Sequence, residues 1–150
     1  MERTMYPGDI RDPNWEKSAR EIFQAQGLMA YLGIELQALR PGYAMLVAPY
    51  RPELSQQAGF FHGGVMATLV DNSGGIASGT LKAADQDVLA AEFKINLLRP
   101  GIGERLVAEA QVVRPGRTLT VARMEVFAET DGKRTLCAIG QGTYAYVDRA

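Results

Sequence analysis

From Leu89 onward the chain alternates apolar and polar residues in four runs, with a turn signature after each of the first three. Leu89, Ala91, Phe93, Ile95 and Leu97 alternate up to Arg99-Pro100-Gly101, and Leu106, Ala108, Ala110 and Val112 up to Arg114-Pro115-Gly116. Ala122, Met124, Val126 and Ala128 alternate up to Asp131-Gly132, a hairpin signature. Cys137, Ile139, Gln141, Thr143 and Ala145 close the series, with Tyr144 and Tyr146 on the other face. Period-two runs joined by hairpin-style turns predict an antiparallel sheet. Such a sheet has an apolar face that another element must cover.

Only one segment is long and apolar enough to be that cover, Phe61–Thr80, with the sequence FHGGVMATLVDNSGGIASGT. Upstream, Asn14 is placed to cap a helix running to about Gln26, with Trp15, Ala19, Ile22 and Phe23 on one face and Gly27 ending it. The apolar stretch LMAYLG then reads as a turn. Two strands follow: one begins near Ile34, and the other carries Tyr43, Met45 and Val47 after a Pro41-Gly42 turn. Residues 51–61 read as a loop. The predicted order is helix, two strands, long central helix, four strands: an α+β domain with a sheet wrapped around one helix. Residues 1–13, broken by Pro7, Gly8 and Pro13, read as a flexible arm, and 14–150 as one domain.

Composition narrows the function classes. The chain has 150 residues and a net charge of −1, so no global field favours nucleic acid or an anionic membrane. No apolar run approaches the ~18 residues of a membrane span, and the first residues lack the apolar core of a secretory signal. Cytoplasmic residence is the default expectation. Cys137 is the only cysteine, reads as a small core residue and has no internal partner. No metal motif, phosphate-binding loop or dinucleotide fingerprint is present, so no cofactor is expected.

At about 100° of rotation per residue, Val65, Met66, Leu69, Val70, Ile76 and Ala77 share one face of the central helix. Asp71 points the opposite way, among Ala67, Thr68, Gly74, Gly75 and Ser78. Interior glycines cost a helix about 0.5–1 kcal/mol each relative to alanine. Gly74, Gly75 and Gly79 together make sense where a backbone or a ligand comes close. Asp71 can be a solvated acid, a structural acid at an interface or a functional carboxylate, and the face of small residues favours the last. His62 stands nine residues earlier, about 13 Å along the axis and on the opposite side. The two either serve unrelated roles or belong to a site built from two subunits related by a twofold axis. His62-Gly63-Gly64 also opens the helix, where free N–H groups and the positive end of the dipole suit an oxyanion. A purely structural role, orienting the loop, is equally open for His62.

The stretch HGGVMATLVDNSGG resembles the motif of the hotdog-fold thioesterases, in particular the PaaI-type acyl-CoA thioesterases. FKINLLRPG and VVRPGRTLT match further pieces of that pattern in order, so the likeness spans about residues 28–147. The resemblance implies a hotdog fold and hydrolysis of an acyl-CoA thioester by a homodimer or a tetramer made of two dimers. It makes Asp71 the carboxylate that acts on water or as nucleophile, and the Gly63 N–H the donor that polarises the carbonyl from the opposite subunit. His62 becomes a positioning residue. Relatives often carry an asparagine six residues before the histidine, where this chain has Gln56. Some carry a hydroxyl near the start of the third strand, where it has Ala90.

Coenzyme A brings phosphates, and Arg99, Arg114 and Arg117 at the Pro-Gly turns are candidates to meet them, with Gly64 near the carbonyl. Ordinary solvated turn arginines are the alternative reading. Two rival functions share the pocket. One is a non-catalytic acyl-CoA binding module. The other is a different hotdog reaction such as enoyl-CoA hydration, against which the spacing of the HGG and Asp elements argues.

Overall fold

The computed structural model describes residues 10–150. Helix α1 (Trp15–Gln24) and the short helix α2 (Gly27–Leu32) precede strands β1 (Glu35–Arg40) and β2 (Tyr43–Pro49). Helix α3 (Gly63–Gly79) follows, then strands β3 (Gln86–Leu97), β4 (Arg105–Arg114), β5 (Leu119–Thr130) and β6 (Lys133–Asp148). The six strands form one sheet in the order β1-β2-β4-β5-β6-β3, antiparallel throughout.

The expected cover is in place. Val65, Met66, Leu69, Val70, Ile76 and Ala77 of α3 are buried against the inward residues of β2, β4 and β5, among them Leu46, Leu106, Ala110, Met124 and Val126. The predicted alternation of β4 and β5 therefore marks the core face. On β6 the face that meets the helix is that of Tyr144 and Tyr146, both buried. Asp131-Gly132 makes the predicted two-residue hairpin, with both residues at positive φ, 50° and 73°.

Three expectations change. Arg99-Pro100-Gly101 is not a hairpin turn, because β3 pairs with β6 and the chain crosses to reach β4. The stretch 28–33 is not a plain turn: residues 27–32 form α2, which ends on Gly33 at φ 68°, a left-handed cap that glycine adopts without strain. Asn14 heads α1 without a side-chain cap, and its own N–H donates to Asp12 Oδ1 instead.

The reading of residues 1–13 as a flexible arm falls, for 1–9, outside the described residues. Arg11 is anchored: its Nε donates to Leu81 O at 2.9 Å, and its guanidinium lies over the Tyr146 ring. Asp12 is buried. No described helix is long and apolar enough to cross a membrane.

The crossing leaves β3 as one edge of the sheet. Leu89, Phe93 and Leu97 on it are 57%, 40% and 57% exposed, so a twelve-residue edge strand presents apolar side chains to its surroundings. Natural edge strands are usually short, charged or covered.

Candidate active site

Asp71 sits at the middle of α3, where the helix passes under the β3–β6 edge. Its Oδ1 is buried and has no hydrogen-bond partner among the described residues. Burial, with no compensating cation among the described residues, pushes its carboxyl above the usual aspartate range. Asp71 opens onto two small clefts. One, about 230 Å³, is walled by Ile22, Ile76, Val88, Ala90 and Tyr144 over Gly75. The other, about 250 Å³, is walled by Leu28, Met29, Ala67, Thr68 and Phe93. Larger hollows, about 610 Å³ beside α1 and about 720 Å³ on the outer face of the sheet, do not touch Asp71. The chemistry follows the carboxylate, not the volume.

Tyr144 forms the floor behind Asp71. Its hydroxyl donates to Asp71 O at 3.0 Å, and burial, with the Asp71 and Glu92 charges nearby, pushes the phenol far up, so it remains a donor. The ring occupies the space that a side chain at position 74 would need. This corrects the angular reading of the small-residue face. Gly74 and Ser78 are buried within the chain, and Gly74 makes room for Tyr144, not for an incoming molecule. Gly75 alone of that glycine pair faces the cleft.

The start of α3 is a separate donor site. His62 is the N-cap, and its Nδ1 accepts from the Gly64 N–H at 2.8 Å. That bond fixes the imidazole as a structural cap and occupies the Gly64 amide. The Gly63 N–H has no partner among the described residues and carries the dipole's positive end. Gln56 lies in the loop just before, where its side-chain oxygen accepts from Ala58 N–H and its backbone N–H donates to Phe60 O at 2.8 Å. Gln56 and His62-Gly63-Gly64 therefore belong to one end of α3, and Asp71 lies about 12 Å further along the axis from Gly63. One chain brings together Asp71, Tyr144 and Ala90; it does not bring Asp71 to Gly63.

The arginines divide in the same way. Arg99 lies beside the start of β6, where its Nη1 donates to Leu136 O at 3.0 Å. Arg114 and Arg117 lie at the β4–β5 turn, beside the end of β6, where Tyr146 N–H donates to Thr118 O. The two groups stand roughly 25–30 Å apart along the sheet.

Two polar residues at the site escaped sequence reading. Asn72 Nδ2 donates to Gln26 Oε1 across 46 positions of sequence, from α3 to the α1–α2 junction. Asn72 was visible beside Asp71 in the motif; nothing in the local pattern marked Gln26. Among the described residues, no group of three or more His, Cys, Asp or Glu side chains is placed to hold a metal ion.

An antiparallel sheet in this order around one long helix, with an acid at mid-helix and glycines at its start, is the hotdog architecture of the thioesterases. The chain belongs to the thioesterase superfamily, whose family model matches residues 58–135. A thioesterase family protein from Silicibacter pomeroyi has the same fold, with a TM-score of 0.88 and 38% identity over 90% of this chain and 99% of that one. The Escherichia coli PaaI protein, at 20% identity and a TM-score of 0.81, covers 91% of this chain and 96% of its own and shows the fold alone. Among curated relatives, a Saccharolobus solfataricus protein named "Putative esterase" is 34% identical over 83% of this chain and 88% of its own length. The E. coli protein named medium/long-chain acyl-CoA thioesterase YigI is 29% identical over 65% of this chain and 73% of its own.

Proposed function

We propose that the protein hydrolyses an acyl-CoA thioester in a site shared by two copies of the chain. The observation that carries this is the separation just described: an unpartnered carboxylate in a desolvated cleft, and a free helix-start N–H on the same helix but out of its reach. Asp71 takes a proton from water as the water oxygen bonds to the thioester carbon. The Gly63 N–H and the α3 dipole of the partner copy hold the oxyanion that forms. The carbon–sulfur bond then breaks, the carboxylic acid is released, and the proton held by Asp71 goes to the departing CoA thiolate.

The exposed edge of β3 is the natural seam. Two β3 strands pairing antiparallel satisfy the edge and bury Leu89, Phe93 and Leu97. The same twofold sets the start of one α3 beside the middle of the other. It also brings Arg99 of one copy toward the β4–β5 turn of the other, so that Arg99 and Arg114 or Arg117 serve one CoA together. Gln56, at the same end as Gly63, reaches the water from the partner side. The name of the E. coli relative YigI supports a CoA thioester as substrate.

Thiol release from a panel of acyl-CoAs tests the reading. The wild type releases CoA, and Asp71→Asn, which keeps the shape and removes the base, is slower by about 10²–10⁴-fold. Near-normal turnover by Asp71→Asn contradicts the assignment.

A further inference from the structure

The two clefts at Asp71 share three residues, Gln26, Asp71 and Asn72. Gln26 and Asn72 are hydrogen-bonded to each other, so their joined side chains stand as a partition between the compartments, with the carboxylate open to both. Asn72 Oδ1 is itself buried without a partner among the described residues. Its Nδ2 is spent on the partition, and its oxygen remains to accept from a bound molecule or water.

The compartments differ. The one toward Tyr144 ends on buried Ile76 and Tyr144 and opens to the surface past Leu89 and Ala90 of β3. Among the described residues, neither lining carries a charge apart from Asp71. The other opens past Leu28 of α2, which is 55% exposed, and has Phe93 of the β3 seam as its far wall. Each is smaller than the roughly 300–1,000 Å³ of ordinary small-molecule pockets, whereas the two joined fall within that range.

We infer that the Gln26–Asn72 bridge is a specificity-determining partition: it confines the acyl group to the Tyr144 compartment, sends the pantetheine arm through the other, and so selects short, uncharged acyl groups. This rests on the hydrolase reading above. A long chain would have to break the bridge to run from one compartment into the next. Removing either partner merges them, and the preference moves toward longer chains.

The test compares thiol release from acetyl-, butyryl-, octanoyl- and palmitoyl-CoA by the wild type, Gln26→Ala, Asn72→Ala and the double variant, each checked for folding by circular dichroism. Calorimetry with the matching non-hydrolysable thioethers of CoA runs in parallel. The wild type favours butyryl over octanoyl. Each single variant raises the octanoyl-to-butyryl ratio of kcat/KM by about tenfold or more. The double variant adds little, because both changes remove one bridge. Unchanged ratios in every folded variant, with wild-type release intact, overturn the partition and leave the hydrolase reading standing. Binding of the thioethers with the same shift but no thiol release supports the partition and overturns hydrolysis. Neither release nor binding overturns both.

Discussion

A Cβ built on Gly74 would stand 2.1 Å from the hydroxyl oxygen of Tyr144, the same hydroxyl that donates to Asp71 O. Ring and glycine are thus one fitted pair, and the pair holds the backbone that carries the carboxylate. Alanine at a helix interior is worth about 0.5–1 kcal/mol over glycine, but overpacking costs typically 1–3 kcal/mol, so the clash decides. Gly74→Ala lowers stability by about that larger amount in urea unfolding. In a Tyr144→Ala background the same substitution becomes neutral or stabilising. Gly75→Ala, whose Cβ meets Tyr144 only at 3.6 Å, gains the helix term in either background.

In the proposed mechanism Asp71 trades stability for chemistry. Burial raises its folded pKa above the unfolded value, so ionising it opposes folding: its favourable contribution exists at low pH and is lost as pH rises through the raised pKa. Asp71→Asn therefore melts higher than the wild type at neutral pH, and the difference vanishes below the ordinary aspartate pKa. The acid limb of kcat/KM in the wild type falls where Asp71 protonates, above that ordinary value. A limb unshifted from it, or an Asn variant less stable at neutral pH, contradicts the desolvated base.

His62 acts through its cap. Asparagine is also a good N-cap, so His62→Asn retains stability and most of the turnover, while His62→Ala loses about 0.5–2 kcal/mol. Thermal melts with thiol-release rates check this. A His62→Asn variant that folds normally but loses orders of magnitude in rate would give the imidazole a direct role.

The arginine assignment predicts a split by substrate. Arg99→Ala and Arg117→Ala raise KM for acyl-CoA roughly 10–100-fold, the scale of a lost charge-assisted contact, and leave KM for the acyl-pantetheine lacking the nucleotide unchanged. Equal effects on both substrates would place these arginines elsewhere.

Much of this was legible in the sequence where one local period held. The β4 and β5 faces, the core face of α3 and the Asp131-Gly132 hairpin follow from alternation, helical angle and turn chemistry. The connection after β3 was not legible, because a Pro-Gly turn looks the same whether the next strand pairs or crosses over. Nor was the occupant of Gly74: the helix showed that something comes close, but Tyr144 arrives from 70 positions later. The Gln26–Asn72 bridge is invisible for the same reason. The angular separation of Gly63 from Asp71 could be read in advance, since a helix fixes it.

That separation is tested most directly by mixing two disabled chains. Proline is favoured at the first position of a helix, and His62 has the extended ψ of 138° that a following proline requires, so Gly63→Pro removes the N–H with little backbone cost. Asp71→Asn and Gly63→Pro homomers each keep no more than about a hundredth of wild-type thiol release. Unfolded and refolded together, they form mixed dimers holding one intact site, Asp71 of one chain facing Gly63 of the other. The shared-site account predicts recovery of about a quarter of wild-type thiol release per chain in an equal statistical mixture. Activity no higher than that of the two separate variants would contradict it.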